Sequence, residues 1–279
     1  MSIELGKFNQ LEVVKEVDFG MYLDGEEEGE ILLPTRYVPE DCKIGDFLNV
    51  FLYLDMDERL IATTLTPLVQ VGQFACLEVA WVNQFGAFLN WGLMKDLFVP
   101  FSEQKMKMQV GRNYVVHVHL DEESYRIVAS AKVERYLSKD VPEYSPDEEV
   151  NILIWQKTDL GFKAIIDNKY SGLLYENEIF RPLETGVQTT AFVKQVREDG
   201  KVDLMLQKAG FAKVDDFAKT LLEYIKEHGG RISLTDKSPA DEIYDVFEVS
   251  KKTFKKGVGD LYKKRLITLE EHGIKLAGS

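Results

Sequence analysis

Phe85-Gly86-Ala87-Phe88 sets two aromatic rings three residues apart across a glycine. From a strand and the bend beside it, such a pair can present flat faces for unpaired bases, each stacking contact being worth about 1–3 kcal/mol and tolerant of base identity. The spacing recurs at Phe19 and Tyr22, and again at Leu160 and Lys163, where a cation replaces the second ring. Around the third occurrence Lys157, Lys169, Lys194, Arg197 and Lys201 are close in sequence, side chains that hold phosphates with salt-dependent affinity. A further basic group comprises Lys251, Lys252, Lys255 and Lys256, followed by Lys263, Lys264 and Arg265.

Other chemistry finds less support. His117 and His119 project from one face of a period-2 stretch and could supply two metal ligands, but no third ligand stands at a telling spacing. They are expected as a solvated or interface pair. There is no phosphate-cradling glycine loop, no Gly-x-Ser-x-Gly elbow and no Cys-His pairing, and the carboxylates cluster on turns. A non-enzymatic protein with no cofactor is expected.

The elements that must position these residues are repeated. Gly20 to Gly45, Gly86 to Gly111 and Gly161 to Gly186 are each 25 residues apart. A shift of 66 carries Phe85 to Phe19, Phe88 to Tyr22, Pro100 to Pro34 and Ile127 to Ile61; a shift of 75 carries Gly86 to Gly161 and Val118 to Val193. Each module contains five short β-rich runs separated by Gly, Asp or Pro, the count of a small barrel. In the second, Tyr114, Val116, Val118 and Leu120 alternate with Val115, His117 and His119, so the first set should face the core. The nine extra residues before the third module form a linker with two prolines. The modules are read as residues 1–66, 67–137 and 147–211, with the linker at 138–146.

Beyond Ala209-Gly210 the period changes. Val214, Phe217, Ala218, Leu221, Leu222 and Ile225 trace an amphipathic helix ended by Gly229-Gly230. Ser238-Pro239 should open a second helix with Ile243, Val246 and Phe247, and Ser250 should cap a third whose core face is Phe254, Val258, Leu261 and Tyr262. Gly257 and Gly259 weaken that third helix by up to about 1 kcal/mol each relative to alanine, with no functional account in the sequence. Leu266–Leu269 and Ile274–Leu276 flank Glu270-Glu271-His272-Gly273 as a hairpin. Residues 212–279 thus read as a winged helix-turn-helix.

The net charge of −13 argues superficially against a polyanionic partner, but its distribution is uneven. Residues 1–66 hold 5 Lys or Arg against 15 Asp or Glu, whereas residues 212–279 hold 13 against 12. A nucleic acid should therefore lie toward the C-terminal end. No apolar run approaches the roughly 20 residues that span a bilayer, the N-terminus shows no signal-peptide pattern, and Cys42 and Cys76 sit at unrelated repeat positions. A protein of the reducing cytoplasm, with both cysteines as buried small hydrophobes, is expected.

The lines Val79-Ala80-Trp81-Val82-Asn83-Gln84-Phe85-Gly86-Ala87-Phe88-Leu89, Asp96-Leu97-Phe98-Val99-Pro100 and Val110-Gly111-Arg112 resemble S1-type RNA-binding domains. Three such modules followed by a winged helix resemble the bacterial conserved virulence factor B family of S1-domain RNA-binding proteins. The resemblance implies a multidomain, mainly β protein of three tandem five-stranded OB-fold barrels followed by an α+β winged helix. It also implies a role in post-transcriptional or translational regulation. The family's two base-stacking positions fall on Phe19 with Tyr22 and on Phe85 with Phe88, and in the third module on Leu160 and Lys163. A third contact position falls on Pro34, Pro100 and Tyr175, of which only Tyr175 could stack or donate. The basic residue usual on the last strand falls on Ala62, Val128 and Asp203, so that contact is missing.

Single-stranded RNA is therefore expected to bind mainly through Lys157, Lys163, Tyr175, Lys194, Arg197 and Lys201 of the third module. The winged helix should add Lys251, Lys252, Lys255, Lys256, Lys263, Lys264 and Arg265. Phe85 and Phe88 would contribute from the second module, Phe19 and Tyr22 more weakly from the first. Two other readings stay open: a protein adaptor on the ribosome or RNA polymerase, and a duplex-DNA regulator acting through the winged helix.

Overall fold

The computed structural model describes residues 3–176, 179, 182–206, 214–270 and 273–277, the side chains of 214–216 excepted. The expected boundary at Ala209-Gly210 and the hairpin-tip residues Glu271 and His272 lie outside them. The chain divides into two compact units, residues 1–137 and 138–279.

The first unit holds two closed five-stranded barrels. One comprises β1 (Phe8–Val17), β2 (Gly20–Asp24), β3 (Glu30–Pro34), β4 (Phe47–Leu54) and β5 (Leu60–Thr63). The other comprises β6 (Phe74–Val82), β7 (Gly86–Leu89), β8 (Leu97–Pro100), β9 (Asn113–Leu120) and β10 (Ile127–Ser130). In the second unit β11 (Glu149–Thr158), β12 (Gly161–Ile166), β13 (Tyr170–Tyr175), β14 (Gln188–Val196) and β15 (Val202–Met205) close a third barrel. All share one order, first-second-third-fifth-fourth, with the third and fifth strands parallel and the other neighbours antiparallel.

The repeated glycine has a packing cause. A Cβ on Gly20, Gly86 or Gly161 would stand 2.2, 2.2 or 2.0 Å from the carbonyl oxygen of Leu33, Val99 or Leu174, so the second strand can lie this close to the third only with no side chain there. Ahead of it the first strand bulges at the same place in each barrel, between Val13 and Lys15, Val79 and Trp81, and Ile154 and Gln156. The repeat shift changes inside the last hairpin. Leu54 pairs with Leu60 but Leu120 with Ile127, so the first barrel's hairpin is one residue shorter and Ile61, rather than Ala62, is equivalent to Val128.

Buried on the inside of β9 are Val116 and Val118, as period 2 requires, but its other face is not open. His117 is buried between the Phe74 and Tyr136 rings at 4.7 and 4.1 Å, and His119 Nε2 lies 3.2 Å from the Tyr136 hydroxyl. Among the described residues neither Nδ1 has a hydrogen-bond partner. The pair is therefore roofed rather than solvated. Burial, with the charge of His119 adding to it, pushes His117 down to about 4. An unfolded chain takes up this proton near pH 6.5 and the fold only near 4, so stability should fall as pH drops through that window, by about 3 kcal/mol in all. Urea unfolding at pH 7 and pH 4.5, with His117→Phe flattening the difference, checks this.

Segment 138–146 lies against the third barrel: Ser138 N–H donates to the Lys169 carbonyl at 2.8 Å and the Tyr144 hydroxyl to Asp167 at 2.9 Å. Cys42 and Cys76 are half-buried free thiols, more open than expected.

The winged helix contains α1 (Val214–Glu227), β16 (Arg231–Ile232), α2 (Ala240–Phe247), α3 (Lys251–Lys263), β17 (Ile267–Glu270) and β18 (Gly273–Leu276). The expected hairpin gains β16 as a third strand, in the order β16-β18-β17. Phe217, Leu221, Ile225, Ile243, Phe254, Val258 and Leu261 form its core. Three local expectations differ. Pro239 is the N-cap of α2, while the Ser238 hydroxyl accepts from Thr235 N–H; Val246 and Tyr262 are exposed, not core. Ser250 does cap α3, accepting the Thr253 N–H at 3.0 Å. Among the described residues no helix is long and apolar enough to cross a membrane.

Candidate nucleic-acid interface

Register places one outward-facing row across each barrel. It runs Lys15, Tyr22, Leu32, Ile61, Tyr53 in the first. In the second it runs Trp81, Phe88, Phe98, Val128, His119, and in the third Gln156, Lys163, Leu173, Asp203, Gln195. The same scaffold therefore presents three different surfaces.

In the first barrel the β4–β5 end of the row is covered by the second. Tyr53 and Ile61 join the second barrel's apolar cluster, and Phe51 meets Phe8 and Trp91 at ring distances of 5.6 and 5.8 Å. Burial pushes the Tyr53 hydroxyl up to about 12. Lys95 Nζ donates to the Asp55 carbonyl at 2.7 Å and pairs with Glu58 at 2.9 Å, and Arg126 pairs with Glu58 at 3.1 Å. At the β1–β2 end Phe19 is exposed, its ring edge-on to Tyr22 at 6.3 Å, and Lys15 lies over Tyr22 at 5.3 Å.

The second barrel carries the richest aromatic surface. Phe85 is 64% exposed, but Phe88 lies parallel to Trp81 at 3.7 Å and against Phe98 at 4.9 Å, so its stacking faces are used inside the protein. Trp81 is the residue sequence spacing missed. Counting by two from core-facing Val79 points it inward, whereas the bulge turns it outward onto Phe88, where its indole N–H donates to Asp96 at 2.8 Å. Phe85, Phe88, Phe98 and Pro100 line one side of a groove of about 580 Å³ whose other wall includes Tyr53 and Leu54 of the first barrel.

The third barrel replaces rings with cations. Lys163 lies over Trp155 at 5.1 Å and Lys157 over Phe162 at 5.5 Å. Asp203 occupies the position where a basic residue was sought, and it gathers one: Arg197 donates to both Asp203 and the Tyr175 hydroxyl, and Gln195 donates to Asp203 at 2.7 Å. Burial pushes the Asp203 carboxyl up, yet the hydrogen bonds from Arg197 and Gln195 outweigh it and hold it below the ordinary carboxylate range. The cation absent from β15 is thus supplied by Arg197, one residue past β14. Tyr175 and Lys163 share this outward face, on paired strands whose register joins Gly161 to Tyr175 and Lys163 to Leu173. Lys194 is exposed, and Lys201 pairs with Asp199 at 2.7 Å.

On α3, Lys252, Lys255, Lys256 and Lys263 are exposed and, among the described residues, none enters an ion pair. Lys251 is half-buried and bonds the Lys237 carbonyl at 3.2 Å, Lys264 pairs with Asp260 at 2.7 Å, and Arg265 is exposed at the helix end.

Residues 5–65 match the family model described as S1 domain, and residues 219–276 match the CvfB-like winged helix domain. The chain is 29% identical over 273 residues to the uncharacterized protein YitL of Bacillus subtilis, covering 94% of this chain and 90% of YitL. It is 22% identical over 281 residues to Conserved virulence factor B of Staphylococcus epidermidis, covering 98% and 94%. A crystal structure of a multidomain protein with nucleic acid binding domains from Streptococcus pneumoniae is 24% identical, with 98% of each chain covered and a TM-score of 0.43.

Proposed function

We propose that the chain, which matches an S1 domain near its start and a CvfB-like winged helix domain near its end and is similar to Conserved virulence factor B over nearly its full length, captures single-stranded RNA mainly through the third barrel and the winged helix, as a post-transcriptional or translational regulator. The observation that carries this is the contrast between the rows. In the first barrel Tyr53 and Ile61 are packed under the second, and Phe88 in the second is spent on Trp81, whereas the third sets Lys163, Tyr175 and Arg197, all half-buried, on its outward side.

Lys157, Lys163, Lys194 and Lys201 hold phosphates, and Asp203 fixes the Arg197 guanidinium beside Tyr175, so that a base meeting the tyrosine ring finds a preset cation at its edge. The α3 lysines extend the phosphate contacts. Stacking and charge together select unpaired strands over a particular sequence, since every base has a face to stack.

The test is anisotropy of labelled single-stranded RNA, with single-stranded and duplex DNA alongside, against the full chain. Lys163→Ala and Tyr175→Ala should each weaken RNA binding about five- to tenfold, about 1–1.4 kcal/mol, while Phe19→Ala leaves it unchanged. Loss confined to Phe85→Ala would move the site to the second barrel. A duplex preference would favour the DNA reading, and no nucleic-acid binding at low salt the adaptor reading.

A further inference from the structure

The two glycines of α3 lie on opposite faces and have different reasons to be there. Gly257 faces the core, where a Cβ would stand 2.5 Å from a ring carbon of Phe217, so α1 and α3 pack this closely only because that side chain is missing. Gly259 has no such neighbour. Outside the helix's own nearby backbone, no described heavy atom lies within 4 Å of where its Cβ would be, so packing leaves room for alanine, a better helix former.

At 3.6 residues per turn, Lys252, Lys255, Lys256, Tyr262 and Lys263 all fall within about 60° of Gly259 around the helix axis. All five are exposed, and the four lysines have no ion-pair partner among the described residues. The one carboxylate of α3, Asp260, sits off this sector and is held by Lys264. Gly259 is therefore a half-exposed point of helix backbone flanked by four ammonium groups without an ion-pair partner among the described residues, and by a tyrosine. A ring of cations around a side chain of any size would hold a polyanion away from the helix; around a glycine it lets the strand lie against the backbone.

We propose that Gly259 is the point of closest approach between α3 and the bound strand, where the phosphodiester backbone of the nucleic acid lies on the helix itself and the surrounding lysines close on its phosphates. Tyr262, at the edge of the ring, receives a base. The inference rests on the winged helix taking part in nucleic-acid capture.

The test uses the full chain with Gly259→Ala and Gly259→Leu, read by anisotropy with labelled single-stranded RNA and by thermal unfolding. Alanine should raise Tm yet weaken binding about threefold, and leucine should weaken it tenfold or more while keeping the fold. Opposite signs in stability and affinity separate a contact from a structural role. Unchanged affinity in both variants, with Lys252→Ala and Lys256→Ala still losing binding, would overturn the approach at Gly259 and leave the lysine face standing. Equal losses for alanine and leucine would also overturn it, since they point to backbone mobility rather than to size. If the lysine variants bind normally, the winged-helix reading itself falls.

Discussion

Replacing Phe51 by alanine is expected to destabilise the 1–137 unit by about 3–5 kcal/mol, the range for deleting a fully buried aromatic. Phe51 points out of its own barrel yet is completely buried, because its ring is held between Phe8 and Trp91. Truncation would open a cavity whose walls belong to two closed barrels, and closed barrels collapse poorly into such a space. Arg126→Ala removes a partly exposed pair with Glu58 from the same junction and should cost no more than about 1 kcal/mol. Urea unfolding followed by tryptophan fluorescence compares the two, with Trp91 at the junction as a reporter. A Phe51→Ala loss below that of Arg126→Ala would mean that the barrels are held by charge rather than by their shared apolar cluster. The difference matters for function, because the apolar contact is what covers Tyr53 and Ile61 in the first barrel's outward row.

The second large effect concerns affinity. Replacing Lys252, Lys255, Lys256 and Lys263 together by alanine should lower the slope of log affinity against log salt by about 3, since each phosphate contact on a single strand releases roughly 0.7 counterion. Near 0.1 M salt that corresponds to roughly two to three orders of magnitude in affinity. The four side chains are exposed and, among the described residues, enter no ion pair, so the variant should fold normally. Lys264→Ala is the matched control: its ammonium is engaged with Asp260, and its loss should change the slope by less than one contact. Titrations at several salt concentrations measure both. An unchanged slope in the fourfold variant would remove α3 from the binding surface and return the whole of the capture to the third barrel.

Much of the architecture was legible before any coordinates. Three equal glycine gaps, period-2 runs and the later switch to a helical period implied three barrels and a winged helix, because each rests on local geometry: a strand alternates sides, a helix turns every 3.6 residues, and a glycine is needed wherever backbones nearly touch. The basic character of the third module and of α3 was readable for the same reason, as was the Ser250 cap. What the sequence could not reach were facts that depend on a neighbour distant in the chain. One-residue irregularities mislead a count made by spacing: the bulge before Trp81 reverses its direction, and the shorter β4–β5 hairpin moves the first barrel's last-strand position from Ala62 to Ile61. Burial of an outward face depends on residues distant in the chain, which is why the His117 and His119 pair reads as surface-facing in the sequence although Phe74 and Tyr136 cover it in the fold. Asp203 read as a missing contact until Arg197, arriving from another strand end, was found bonded to it. Local backbone periodicity is a property of consecutive residues and survives in the sequence; which faces remain open to a ligand is decided by packing between elements, and only the tertiary structure holds that.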